Sequence, residues 1–262
     1  AIVVSRAAAP ASTSGGAAST ALAPVTVRAT VQRSAVSEGN PVYAARAVSI
    51  GKTERSLREI PQSVTVIGRQ QLDDQDAVTL SDALREAAGV TLYGNANGAS
   101  SFYARRNILA VQYDGVPGFG SLSNSQFDLS MYDRIEVLRG PAGLLQGSGD
   151  PSGVVNLVRK RPLREQALSL TGSVGSWKAV RGEVDMSLPL TEDGRLRGRA
   201  VLAANNRHFF YDDARDSNRM GYGIVEWDLT PRTTAALSTA WQRSKPTSFS
   251  GFPAYNDNGS HL

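Results

Sequence analysis

Residues 132–162 read YDRIEVLRGPAGLLQGSGDPSGVVNLVRKRP, and this run decides the fold. Arg134–Leu138 and Val154–Val158 are rich in apolar and β-branched residues, which suit short buried strands. Between them the chain is broken by Arg139-Gly140-Pro141 and then by Gly147, Gly149, Pro151 and Gly153. The run closes on a basic cluster, Arg159-Lys160-Arg161-Pro162. A phosphate-binding loop would need a Gly-Lys-Ser/Thr ending and a following helix, and neither is present.

Upstream of this run, Ile60–Ile67 reads as a strand with proline at its edge. Gly68–Asp76 suggests a helical turn. Thr79–Ala88 predicts a helix, because Leu80, Ala83, Leu84, Ala87 and Ala88 fall on one stripe. Thr79 or Ser81 can cap its start, and Gly89 suits its end. Val90–Tyr93 begins another strand, residues 94–101 a loop, and Val111–Tyr113 a strand leading into the turn Asp114-Gly115. Residues 116–127 are a second polar loop. Together residues 51–162 predict a compact α+β unit.

After Leu163 the period changes to two. In Val180–Leu188 every even residue is apolar or glycine and every odd one polar or charged. A strand with one greasy and one wet face needs this pattern. Leu168–Ser176, Val180–Leu188, Arg195–Asn205, Gly221–Leu229 and Thr233–Arg243 are five such strands. Asn206–Arg219 and Ser244–Leu262 read as loops. Trp177, Tyr211, Trp227 and Trp241 lie near strand ends, where a membrane interface would hold aromatic rings. The pattern alone leaves a membrane barrel and a soluble antiparallel sandwich both open.

The first 50 residues are expected to be a disordered segment. Residues 5–24 are rich in Ala, Ser, Thr, Gly and Pro and bury too little apolar surface to offset ordering. Within this segment Pro24-Val25-Thr26-Val27 is β-competent, and residues 31–50 look like a linker. The chain has no cysteine, which removes disulfides and thiolate chemistry. Its two histidines are far apart, and no metal-ligating or nucleophilic cluster stands out, so neither an enzyme nor a metal centre is expected. The 28 basic and 24 acidic residues are interspersed, unlike the basic stripe of a nucleic-acid binder.

The order and spacing of Arg58–Ile67 (REIPQSVTVI), Leu80–Val90 (LSDALREAAGV), Tyr113–Pro117 (YDGVP) and the opening run closely resemble the siderophore branch of the TonB-dependent outer-membrane receptors. Residues 251–257 (GFPAYND) are similar to a loop after an early barrel strand in that branch. The resemblance implies an α+β plug domain followed by antiparallel transmembrane β-barrel strands, in the outer membrane of a Gram-negative bacterium. It implies a Fe(III)–siderophore as cargo, outer-membrane lipid around the barrel, and TonB as a periplasmic partner. Pro24, Val25, Thr26 and Val27 are similar to a TonB box, a segment that can add as a strand to a partner's sheet edge. Arg105 and Arg139 match two plug arginines that face glutamates on the barrel wall in the family. At the first site the family has Arg-Gly-Phe whereas this chain has Arg105-Arg106-Asn107, so the local turn is expected to differ. Tyr93, Asn95, Tyr103, Phe119 and Leu122, on the outward loops, are the candidates for ligand contact. The same architecture for cobalamin or haem, and a soluble plug-only binding module, are the alternatives.

A plugged barrel of this kind has roughly 22 strands. Residues 163–262 supply about five at ~9–11 residues each. Five strands cannot close in hydrocarbon, so the expectation is a fragment or a truncated product, not transport-competent alone.

Overall fold

The computed structural model describes residues 2–6, 25–29, 34–51, 53–94, 100–118, 127–141, 152–209 and 214–247, the first two segments as backbone only. The core of the N-terminal unit is a mixed sheet of five strands. These are β1 (Ser63–Ile67), β2 (Ala110–Tyr113), β3 (Val116–Pro117), β4 (Tyr132–Arg139) and β5 (Gly153–Arg159). Their order is β3-β2-β5-β4-β1, with β5 parallel to β2 and the other pairs antiparallel. The two strands of the opening run, β4 and β5, therefore lie at the centre. Their register pairs Val137 with Val155 and Ile135 with Leu157. All four side chains are at most 2% exposed, as expected of central strands.

Gly153 opens β5 at φ +131, and a Cβ built there would sit 2.1 Å from the Leu138 carbonyl oxygen. Only glycine permits that approach. Helix α1 (Arg69–Asp74) and helix α2 (Leu80–Arg85) cover one sheet face with Leu72, Leu80 and Leu84. Thr79 caps α2 in a reciprocal box with Asp82, and Gly89 follows at φ +75, as their positions in the sequence suggested. The opposite face packs on Val48, Ile50 and Ile60. The expectation of a disordered segment up to residue 50 fails here. Val48 and Ile50 are fully buried, because two apolar residues in a polar stretch suffice to seat it on the sheet. Ile2–Arg6 and Val25–Ala29 also form an antiparallel ribbon.

The remainder is an open antiparallel sheet of five sequential strands: β6 (Ala167–Gly175), β7 (Ala179–Pro189), β8 (Leu196–His208), β9 (Arg215–Thr230) and β10 (Thr233–Pro246). Four are longer than the alternation indicated. The stretch read as a loop from Asn206 to Arg219 is strand up to His208 and again from Arg215. Its residues are polar on both faces, so no period of two marks it. Ser244, Lys245 and Pro246 extend β10 in the same way. One face of this sheet meets the N-terminal unit through Val201, Ala203, Met220, Tyr222 and Ile224. The other presents Leu170, Val174, Leu202, Leu237, Trp227 and Trp241, each more than half exposed.

Candidate functional site

The sequence predicts function at three places: the N-terminal strand, two arginines and two outward loops. Val25, Thr26 and Val27 lie in the ribbon, where Val27 pairs with Val4 and Thr26 with Ser5. Pro24 lies outside the described residues, as do Asn95, Phe119 and Leu122. Tyr93 and Tyr103 sit on adjacent strands, Thr91–Gly94 and Ser100–Ala104, with ring centroids 6.4 Å apart at 73°. This edge-to-face pair leaves Tyr93 at 69% exposure.

Arg139 is held within its own unit. Its guanidinium donates to the Ala88 carbonyl at 2.8 Å, Ser63 Oγ at 2.6 Å and Thr65 Oγ1 at 3.2 Å. Arg105 is exposed at φ 51, and Arg106 follows at φ 69. They form the turn joining Ser100–Ala104 to Asn107–Ile108. The turn demands two left-handed residues, a conformation that glycine adopts without strain and arginine does not. Among the described residues neither Arg105 nor Arg139 meets a glutamate of the second sheet.

The charged contacts that do join the two units involve residues the motif reading did not single out. Lys160 Nζ donates to Asp185 Oδ2 at 2.8 Å. Asp185 also accepts from Arg199 Nε at 2.8 Å and Nη2 at 2.6 Å. Arg199 continues to Glu38, with Nη1 2.6 Å from Oε2. Arg181 grips Asp128 in bidentate fashion at 2.6 and 2.7 Å. Arg161 meets Glu226 at 2.7 Å. Arg199 and Asp128 have side chains only 3% and 1% exposed, so these are desolvated pairs that depend on each other.

The Glu38 contact adjoins the point where Ser37 is tied to the plug sheet. The Ser37 and Glu38 amides donate to Asp133 Oδ1 at 3.2 and 2.8 Å. Ser37 Oγ donates to the Asp133 carbonyl at 2.7 Å. Asp133 in turn accepts from Arg134 Nη1 at 2.7 Å, and Arg134 Nε donates to Glu136 at 2.8 Å. Burial opposes the charge on Arg134, yet Glu136 and Asp133 hold its pKa above the usual arginine value. Glu136 also accepts from Asn156 Nδ2 at 2.9 Å, and Asn156 Oδ1 accepts from the Gly115 amide at 2.8 Å. A continuous buried polar chain thus crosses the sheet from residue 37 to the β2–β3 hairpin.

A polar gap of about 740 Å³ separates α1 and α2 from the second sheet, lined by Asp73, Asp82, Glu86, Thr171, Glu183 and Arg207 among others. The arrangement is a mixed domain seated on the polar inner face of a sheet whose outer face is apolar.

Residues 56–154 match the TonB-dependent receptor plug domain. The chain carries the plug of a TonB-dependent receptor. It is 41% identical over 249 residues to the ferric-pyoverdine M114 receptor PbuA of Pseudomonas sp. (strain M114), covering 92% of this chain and 30% of that one. It is 38% identical over 211 residues to the ferripyoverdine receptor of Pseudomonas aeruginosa, covering 77% of this chain and 26% of that one. The crystal structure of the P. aeruginosa ferripyoverdine receptor bound to ferripyoverdine superposes with a TM-score of 0.78 at 32% identity, over 91% of this chain and 32% of that one. The alcaligin receptor FauA of Bordetella pertussis superposes with a TM-score of 0.71 at 40% identity, over 80% of this chain and 37% of that one. The chain spans about a third or less of the length of these relatives. The α+β unit is the plug, and β6–β10 correspond to receptor barrel strands.

Proposed function

We propose that this chain is the plug and the first barrel strands of an outer-membrane receptor that takes up ferric siderophores under the action of TonB. The observation that carries this reading is the two-sided second sheet. Its inner face binds the plug through buried ion pairs, and its outer face exposes Leu170, Leu202, Leu237 and two tryptophans. Water would penalise that outer face, whereas hydrocarbon suits it. A soluble plug-only module has no use for it.

The cargo class, a ferric siderophore chelate, is supported by the relatives named above, which are ferric-pyoverdine receptors and the alcaligin receptor FauA. Fe(III) in such a chelate is already coordinated, so the receptor reads the ligand shell. Tyr93 and Tyr103 offer an exposed aromatic corner for that purpose, and Asn95, Phe119 and Leu122 remain candidates beside it. TonB would capture Val25–Val27 by strand addition. Arg105 and Arg139 remain proposed contacts to barrel strands beyond the five described.

The test uses the intact receptor carrying this chain, with ferric pyoverdine, ferric alcaligin, cobalamin and haem as ligands. Quenching of tryptophan fluorescence by a ferric siderophore, with none by cobalamin or haem, supports the reading. Selective binding of cobalamin or haem would move the protein to another cargo class. A product that stays in the aqueous phase without detergent would overturn the membrane assignment.

A further inference from the structure

We propose that Asp128 is a positioning residue for cargo binding, through which the barrel wall fixes the end of the second outward loop. The inference rests on the receptor reading above. Register sorts the inner face of the wall into levels, counted from the tight Pro231–Arg232 turn. Arg161 meets the wall at Glu226, which is level with Arg197. Glu38 meets it at Arg199, two residues further along β8. Lys160 meets it at Asp185, which is level with Val201. The Asp128 amide donates to Gln242 Oε1 at 2.8 Å, at the level of Ala203. Its carboxylate takes Arg181, at the level of Asn205 and Asn218. Asn218 lies eight residues along β9 from Glu226, about 26 Å of strand. Short turns mark the periplasmic end of such barrels. Asp128 is therefore the charged plug residue seated farthest toward the outside among the described residues.

Packing is thin at that level. The polar gap of about 740 Å³ reaches it, lined there by Glu86, Ser130, Arg181 and Asn205. The clasp is accordingly strong in itself. The Asp128 carboxylate is almost wholly buried and receives both terminal nitrogens of Arg181, at 2.6 and 2.7 Å. Its Oδ1 also accepts from the Ser130 amide at 3.0 Å, which caps the 3-10 turn Leu129–Met131 at the entry to β4. One residue is thus tied to β7, to β10 and to the turn that starts the central strand of the plug.

The second outward loop, residues 116–127, ends at this residue. Its two feet stand on different bodies. The Gly118 amide donates to the Val111 carbonyl at 2.9 Å, and a Cβ at Gly118 would come within 3.0 Å of the Val111 and Tyr113 side chains. That foot is on the plug sheet. The other, Asp128, is on the wall. A side chain that reads a ligand is only as well placed as the elements behind it. Arg181 and Gln242 set the separation of the two feet, and so act on the cargo through Asp128.

The experiment titrates the intact receptor in detergent with ferric pyoverdine and with ferric alcaligin, read by tryptophan quenching. Thermal unfolding and TonB pull-down are measured on the same samples. Asp128→Asn removes the charge while Arg181 keeps Glu183 at 3.1 Å, so no lone cation is left buried. We expect this variant to bind the preferred chelate about tenfold more weakly, chiefly through faster release, and to lose part of the preference between the two chelates. Gln242→Ala should act in the same direction by about threefold. Arg161→Gln, which breaks the pair at the far end, should leave affinity and preference at wild-type values. TonB capture should be kept in all three. Unchanged affinity and preference in folded Asp128→Asn, or in Gln242→Ala should the first variant not fold, would overturn the proposal. An equal loss in Arg161→Gln would overturn it too, because affinity would then follow the general attachment of the plug. A wild-type receptor that binds neither chelate would instead refute the cargo reading on which the proposal stands.

Discussion

Glu38 and Arg199 are 161 residues apart in the chain, and their side chains meet at 2.6 Å across the boundary between plug and wall. Ser37, one residue before, is tied to Asp133 of the plug sheet. Tension applied at Val25–Val27 would be passed along the linker to this pair of residues. The Glu38–Arg199 bridge therefore acts as a clamp on the linker.

Glu38→Gln keeps the shape of the side chain and removes its charge. Arg199 retains Asp185, so the barrel wall should stay intact. We expect the linker to detach more easily, by about 1–2 kcal/mol, the range of a part-exposed hydrogen bond to a charged group. Limited proteolysis between residues 30 and 36 should accelerate by roughly a factor of ten. An unchanged cleavage rate would show that Ser37 and Asp133 alone hold the linker.

Val25→Pro removes a backbone donor from the segment proposed to pair with TonB. Capture of TonB in a pull-down should be lost while ferric-siderophore binding is kept. Undiminished capture would place the TonB contact elsewhere.

Arg106 sits at φ 69 in a two-residue turn. Arg106→Gly should stabilise the plug by about 1 kcal/mol, the cost of a left-handed non-glycine residue. Chemical denaturation followed by plug tryptophan-free signals such as tyrosine fluorescence would read it. Destabilisation would mean that the Arg106 side chain has a partner in the complete barrel.

The Tyr132 ring is fully buried and its hydroxyl has no hydrogen-bond partner among the described residues. Burial pushes its pKa well above the ordinary value of 10.0. The folded plug therefore holds this proton more tightly than the unfolded chain. Stability from this source is complete below the unfolded pKa and falls as pH rises above it. Tyr132→Phe should flatten the alkaline loss of stability by up to about 1.4 kcal/mol per pH unit. Near neutral pH the change should be small, because no hydrogen bond is lost. An equally steep alkaline slope in the variant would assign the effect to Tyr113, whose pKa burial also raises.

Much of the site chemistry was hidden in plain view. The odd residues of Val180–Leu188 were legible as a polar face, but a polar face read from alternation is presumed wet. Arg181 and Asp185 are instead dry, because the plug covers them and returns Asp128 and Lys160 as partners. Similarly, the basic cluster Arg159–Arg161 marked the end of a domain. Its pairing with Asp114, Asp185 and Glu226 depends on contacts up to 65 residues away.

By itself the sequence determined the elements whose causes are local. These are the Thr79 cap, the left-handed Gly89, the central strands of residues 132–162 and the five two-faced strands after Leu163, because caps, φ angles and side-chain period act within a few residues. Only the tertiary structure decided that residues 34–50 belong to the plug and that Glu38 reaches Arg199. Those facts arise from register and docking between distant segments. A charge in the sequence does not announce its partner; the fold brings the two together, and burial then makes each depend on the other.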